Sequence, residues 1–181
     1  MKRGHLLHLA NACLLFLCVS MYLGTGWSLV LFSFPIASQL TVDNYYLQFV
    51  PQVQAATRFF TGMTLVMLVS AAVLAWRERR TGLRWYPLLV LLAVVVATLL
   101  TRFFIFPYNA EMAAGITSPE RLSQVLGAWM GMNRIRVALW TVQWLSMLGY
   151  FVHRLLRAEH PAGVRWPSFG LSIPPRREVR A

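Results

Sequence analysis

The sequence predicts an all-α integral membrane protein, a four-helix bundle, on three observations. Hydrophobic residues make up 57% of the 181 and charged residues only 13%, against roughly 45–50% and about 25% in soluble domains. The apolar residues gather into four long runs. The basic residues between those runs are unevenly distributed. Such a balance argues against intrinsic disorder, a coiled coil or an ordinary soluble enzyme.

A spanning helix needs about 20 mainly apolar residues to cross roughly 30 Å of hydrocarbon. The first run, from about residue 6 to 34, has no charged group beyond His8 and stops where Pro35 ends a helix. It far outruns the apolar core of a secretory signal, which is about 7–15 residues, so it is expected to be retained. The second run, about 59–76, is short, but Arg58 and Arg77 can snorkel from its two ends. The third, about 85–106, is apolar from Leu88 to Leu100 apart from Thr98, and the fourth covers about 137–156.

Charge placement sets the expected topology. Twelve of the 17 basic residues sit at the N-terminus, between runs two and three, or after run four. Both termini are therefore expected in the cytoplasm, in a bacterial-type inner membrane, with loops at about 35–57 and 107–133 facing outward. The basic excess then reads as a topology signal, and nucleic acid is not an expected partner. Residues 1–157 form the expected bundle. Residues 158–181, with Pro161, Pro167, Pro174 and Pro175 among arginines, form an expected disordered basic cytoplasmic tail. No internal repeat is expected.

Smaller features carry less chemistry. Cys13 and Cys18 lie about 140° apart on a helix, so they read as buried inert thiols rather than a metal pair or a disulfide scaffold. His5, His8 and His153 fall at the cytoplasmic edge, where solvation is the expectation. Ser20, Gly24 and Ser28 repeat every four residues and are expected to face a neighbouring span, because small residues let helices approach.

The outward half holds the candidate site. Ser118-Pro119-Glu120 is a helix start, with a capping hydroxyl, a proline and an early acid. The helix is expected to run on into span four. Along it Trp129, Asn133, Arg136, Trp140, Gln143, Met147 and Tyr150 follow at steps of four and three, which keeps them on one face. Unpaired polar groups cost several kcal/mol in hydrocarbon, so this face is expected to point inward. Arg58, Arg102 and Asn109 fall at a similar depth. Together Arg58, Arg102, Asn109, Trp129, Asn133, Arg136, Trp140 and Gln143 form the candidate ligand site. The alternative is an internal network in which Glu111 or Asp43 pairs with an arginine. The sequence holds no nucleophile–base pair, metal set or nucleotide loop, so no catalytic residue, metal or cofactor is assigned.

Gly24, Gly26 and Phe34-Pro35 closing span one, Phe106-Pro107-Tyr108-Asn109 closing span three, and Trp129-x3-Asn133-x2-Arg136 opening span four resemble the anthrone-oxygenase-like family of small four-helix membrane proteins. The resemblance covers about residues 10–155. It implies cofactor-independent oxygenation of an aromatic or quinone-like molecule. Trp129 and Trp140 would then stack on the ring, while Arg136, Asn133 and Asn109 hold a developing oxyanion. Members often carry a histidine near the start of the fourth helix. Here Asn133 stands in that neighbourhood, which removes the usual general base. The expectation is therefore a membrane subunit or small-ligand binder with an outward polar pocket, the enzyme being the alternative. Its expected partners are the lipid bilayer, an aromatic or anionic small molecule, and a membrane protein or second copy.

Overall fold

Backbone amides find no water in hydrocarbon, so each apolar run closes its hydrogen bonds along itself as a helix. The computed structural model describes residues 3–159, so the expected tail beyond Glu159 lies outside the described residues. The elements are α1 (Arg3–Ser28), α2 (Phe34–Ala37), α3 (Tyr45–Arg77), α4 (Trp85–Leu100), α5 (Phe106–Ala114) and α6 (Pro119–Glu159). Among the described residues there is no strand. Four stretches are long and apolar enough to cross a membrane: Arg3–Ala37, Tyr45–Arg77, Gly82–Ala114 and Pro119–Arg157. They mark a multi-pass membrane protein. We refer to these stretches as spans one to four.

Each span packs on its neighbour in the chain, and α6 returns to α1 to close the ring. Both termini of the described chain lie at one end, here the terminal end. The 38–44 and 115–118 connections lie at the other, the far end. Leu17, Leu65, Val69, Leu92 and Leu145 are exposed on the outside of the bundle, which is the surface a lipid-facing helix presents.

The far-end segments expected as loops are mostly helical. Residues 45–57 belong to α3 and residues 106–114 to α5, while residues 119–133 form the start of α6, which runs on into span four as expected. At 41 residues α6 is about 61 Å long, twice the roughly 30 Å of hydrocarbon. The surplus builds a second core. One core, around Leu15, Val19, Met67, Leu74, Val90 and Met147, fills the terminal half. The other, around Phe34, Tyr45, Phe49, Ile105, Met112, Leu122 and Trp129, forms a headpiece at the far end. Outside α6 the sequence hides this headpiece because its helices are amphipathic and short of hydrocarbon length. Its α6 start is as expected: Ser118 Oγ accepts the Arg121 N–H at 3.2 Å. Gly115, at φ 94°, ends α5 in a conformation only glycine adopts readily. The buried Tyr45 hydroxyl donates to the Met112 carbonyl at 3.2 Å, tying α3 to the end of α5.

Spans one and three share a feature that the sequence carries twice. Phe32-Ser33-Phe34-Pro35 and Phe104-Ile105-Phe106-Pro107 each close a π-helical turn, Leu29–Ser33 and Thr101–Ile105. The Phe34 N–H reaches back to the Leu29 carbonyl, and the Phe106 N–H to the Thr101 carbonyl. Proline has no N–H and its ring crowds the preceding turn, so a wider turn before it relieves the helix. The expectation of no internal repeat is corrected to this extent.

The small-residue stripe is corrected in part: Ser20 does meet span four, its Oγ accepting from Trp144 Nε1 at 3.2 Å. Gly24 and Ser28 are exposed, and a Cβ built on Gly24 meets nothing within 4 Å. The close approach is at Gly26, where a Cβ would sit 2.6 Å from the Trp140 ring and 3.0 Å from Val137. A spacing of four marks several possible faces; only the neighbour's bulk decides which one is used. Cys18 is buried as expected, whereas Cys13 is exposed on the outer face.

Gly26→Ala should therefore lower stability by about 1–3 kcal/mol through overpacking against Trp140. Gly24→Ala should be neutral or slightly stabilising through better helix propensity. Thermal melting of the two variants in detergent checks this, and equal shifts would contradict the close approach at Gly26.

Candidate functional site

Between the two cores the four spans line a half-open cavity of about 440 Å³, with exposed residues such as Thr61 and Arg102 on its rim. Each span contributes to its wall, and both π turns border it, through Leu29 and Ser33 and through Thr101, Arg102 and Ile105. The wall is largely apolar, with Phe49, Phe60, Met67 and Leu68 prominent. Hydroxyls stud the remainder. Thr57, Thr61, Thr98 and Thr101 each donate to the carbonyl four residues earlier, at 2.7–2.8 Å. Their protons are thus committed to their own helices, and they offer the cavity acceptor oxygens only.

The polar face of α6 points inward as its periodicity predicts. Trp129, Asn133, Trp140, Gln143, Met147 and Tyr150 are all buried. Six of the eight candidate residues line the cavity: Arg102, Asn109, Trp129, Arg136, Trp140 and Gln143. Arg58 and Asn133 do not. Arg58 is exposed on the outer surface, where a long charged side chain at a helix boundary naturally turns. Asn133 is fully buried and donates Nδ2 to the Trp129 carbonyl at 2.8 Å, so it is held within its own helix. Position on a helical face predicted burial but not which buried residue meets open space.

Arg136 dominates the site. Its guanidinium lies 4.6 Å from the centroid of the Trp140 ring. Its Nη1 makes one long contact, 3.4 Å, to Thr101 Oγ1. Among the described residues no carboxylate lies within 4 Å of it. Glu111 does pair with an arginine, but with Arg121 on the surface, at 2.6 Å. The internal network that would neutralise Arg136 is therefore absent among the described residues. Arg136 Nε, Gln143 Oε1 and Asn133 Oδ1 are buried without a hydrogen-bond partner. Buried polar groups are normally satisfied, so three such atoms beside or behind one cavity are a concentrated exception. At the top of the site Trp129 Nε1 donates to Asn109 Oδ1 at 2.8 Å. At its side the Tyr22 hydroxyl donates to the Phe60 carbonyl at 2.8 Å. Among the described residues the lining includes no Asp, Glu or His.

A second polar cluster lies at the terminal end, centred on Glu78, which sequence reasoning passed over. Glu78 is 7% exposed in the turn after α3. Its Oε1 accepts from the Tyr150 hydroxyl at 3.0 Å and lies 3.1 Å from His8 Nε2. Its Oε2 accepts from Thr81 Oγ1 at 2.6 Å. Tyr150 also accepts from Arg154 Nη1 at 2.7 Å and lies 2.9 Å from His8 Nε2. Tyr150 spends its one proton on Glu78, so His8 must donate from Nε2. His8 is thus part of a buried brace, where solvation was expected. The available signal was Glu78 itself, a lone acid among Arg77, Arg79 and Arg80. Among the described residues no cluster of His, Cys, Asp or Glu is placed to hold a metal ion.

Comparison with protein-family models, curated proteins and solved structures finds no match to this chain.

Burial raises the Glu78 carboxyl, but hydrogen bonds from Thr81 and Tyr150 and the charges of His8 and Arg154 outweigh it. The net shift is below the usual carboxylate value. A depressed folded value contributes stability above the unfolded value and loses it as pH falls through the folded one. Glu78→Gln should lower detergent stability at neutral pH by about 1–3 kcal/mol. The gap to wild type should close as pH drops below the carboxylate range. A gap that stays constant with pH would contradict an ionised Glu78 brace.

Proposed function

We propose that the chain is a small-ligand binder of a bacterial-type inner membrane, with cytoplasmic termini. Its far-side cavity takes a molecule that joins an anionic or carbonyl oxygen to an apolar body. The observation that carries this is Arg136, a cation on the wall of a 440 Å³ cavity with no carboxylate beside it among the described residues. An unpaired buried charge costs several kcal/mol, and a ligand oxygen is the natural counter-group. The volume lies within the roughly 300–1,000 Å³ of ordinary small-molecule sites, which combine an apolar lining with a few polar anchors.

Membrane depth supports the same conclusion. Trp76 and Trp85 are exposed at the terminal end, with Arg79 at 4.0 Å and Arg84 at 4.8 Å over their rings, as at a membrane interface. Arg58 and Arg102 lie 18 and 17 residues along from those tryptophans, and Arg136 lies 18 residues from Arg154. Those distances correspond to a rise of about 26 Å, close to one hydrocarbon thickness. The arginines thus share the level of the far headgroup boundary, where an amphiphilic ligand would place its polar group. The orientation follows from the basic excess at the terminal end. The oxygenase-like alternative needs a proton acceptor beside its substrate, and the lining offers neither imidazole nor carboxylate, so binding is the better-supported function.

The test is thermal melting of wild type and Arg136→Gln in neutral detergent, alone and with a naphtholate or stearate probe. A ligand site predicts a variant that melts at or above wild type, since site residues carry a stability penalty. At least one anionic probe should raise wild-type melting and none the variant's. A variant destabilised by about 1–3 kcal/mol, with no probe shifting the wild type, would leave Arg136 a structural group.

A further inference from the structure

We propose that the cavity is loaded from the bilayer itself: a long-chain carboxylate of the far leaflet slides in through a window between spans two and three. The proposal rests on reading the cavity as a ligand site, and it names the ligand and its route. Four side chains carry it, because each lines the cavity and is also exposed on the outside of the bundle. They are Thr61 and Leu65 on α3, Thr98 on α4 and Arg102 in the π turn that follows. Phe60 and Thr64 face Tyr22 of span one, and Thr61 and Leu65 lie about 100° further round α3, on the side of span three. Likewise Thr101 faces Arg136 of span four, and Arg102 lies on the side of span two. Each exposed pair is one turn apart and forms one edge of the opening. Toward the terminal end the edges close, with Val94 only 3% exposed and Leu68 half-buried. Toward the far end the two spans meet again where the Tyr45 hydroxyl donates to the Met112 carbonyl.

Depth decides what the window faces. Leu65 lies 11 residues from Trp76 and Thr98 lies 13 from Trp85, the two tryptophans of the terminal-end interface. Those separations are rises of about 17 Å and about 20 Å, past the midplane of roughly 30 Å of hydrocarbon. The window therefore opens on acyl chains of the far leaflet rather than on water. Its upper rim is cationic. Arg102 stands there, and Arg58, also exposed, lies three residues from Thr61 on the same face of α3. A carboxylate at the head of an acyl chain brings the matching charge to the matching depth, and its chain runs down to the buried Met67 and Val94. Inside, Thr101 touches Arg136 at 3.4 Å and is next in sequence to Arg102, so one π turn joins the outer cation to the inner one. The carboxylate passes from Arg102 to Arg136 at constant depth, and no charge has to cross hydrocarbon. The cavity's 440 Å³ is the size of a small-molecule site, which admits one acyl chain and excludes a diacyl lipid. A second opening on the other side of α3, beside Thr25, Ser28 and Gln52, has no cation among its described lining residues.

Photolabelling of the full chain in phosphatidylcholine vesicles tests this. The probe is stearate with a diazirine near its terminal methyl, and adducts are located by peptide mass spectrometry. Wild type should be labelled on Met67, Leu68 and Val94, which line the lower cavity. Joint Thr61→Trp and Thr98→Trp fills the window from exposed positions, so the fold should survive, and it should cut those adducts tenfold or more. Ser28→Trp, at the uncharged opening, should leave them within twofold. The methyl ester of the probe offers the arginines no charge and should label wild type at least fivefold less than the free acid. Equal labelling of wild type and the window variant, or a loss with Ser28→Trp as large, would overturn the window. Equal labelling by ester and acid, or labelling by a diazirine phosphatidylglycerol as strong as by stearate, would overturn the single-chain carboxylate. An absence of these adducts in wild type would overturn the whole inference, and naphtholate then separates it from the binding reading. A wild-type melting shift by naphtholate would keep the cavity as a site for another ligand; no shift would remove both.

Discussion

A guanidinium with no carboxylate beside it among the described residues, held between two apolar cores, is the constraint around which the far half of this molecule is arranged. A cation there is tolerable only with partial compensation. Trp140 offers its ring face at 4.6 Å, and Thr101 offers a hydroxyl oxygen at 3.4 Å. Both supports have their own requirements. Trp140 packs closely against α1 because position 26 is glycine, and it meets Tyr22 edge-on at 4.8 Å. Thr101 opens the π turn that Pro107 brings about in span three. Gly26, Pro107 and the hydroxyl-lined walls thus converge on one charge, and the space left around it is the cavity.

The two ends of α6 divide the work. At the terminal end the polar groups satisfy one another. Glu78, Tyr150, His8, Thr81 and Arg154 form a closed set that ties spans one and four to the turn between spans two and three. At the far end the same helix face leaves groups unsatisfied, with Arg136 Nε and Gln143 Oε1 buried and unpartnered. A satisfied network rigidifies, and an unsatisfied one invites a partner. The contrast along a single helix confines the deficit to the cavity half and sets it apart from a general looseness of packing.

Hydrophobic runs made the bundle legible, and the α6 periodicity put Trp129, Arg136, Trp140 and Gln143 on the face that lines the cavity, because both follow from what hydrocarbon forbids. Other features depend on the shape of neighbours and are not coded locally. Asn133 shares a face with Arg136, yet it turns back onto the Trp129 carbonyl. Gly24 and Gly26 are equally small, but only Gly26 meets a ring. Of the headpiece only the α6 segment was legible, from its helix start at Ser118; the parts in α3 and α5 look like polar loops because amphipathic helices beyond the hydrocarbon carry no long apolar run. The paired Phe-x-Phe-Pro segments were present in the sequence throughout. Their meaning came only from the π turns that precede them and the cavity they border.

The most direct measurement is a double-mutant cycle that gives Arg136 the carboxylate it lacks. Thr101→Glu places an acid where the threonine hydroxyl now lies 3.4 Å from Nη1. An unpaired cation predicts that Thr101→Glu raises melting in the wild-type background and lowers it in Arg136→Gln, with a coupling of at least about 1 kcal/mol. Equal destabilisation in both backgrounds would mean that Arg136 is already compensated, and the cavity would lose its reason to bind an anion.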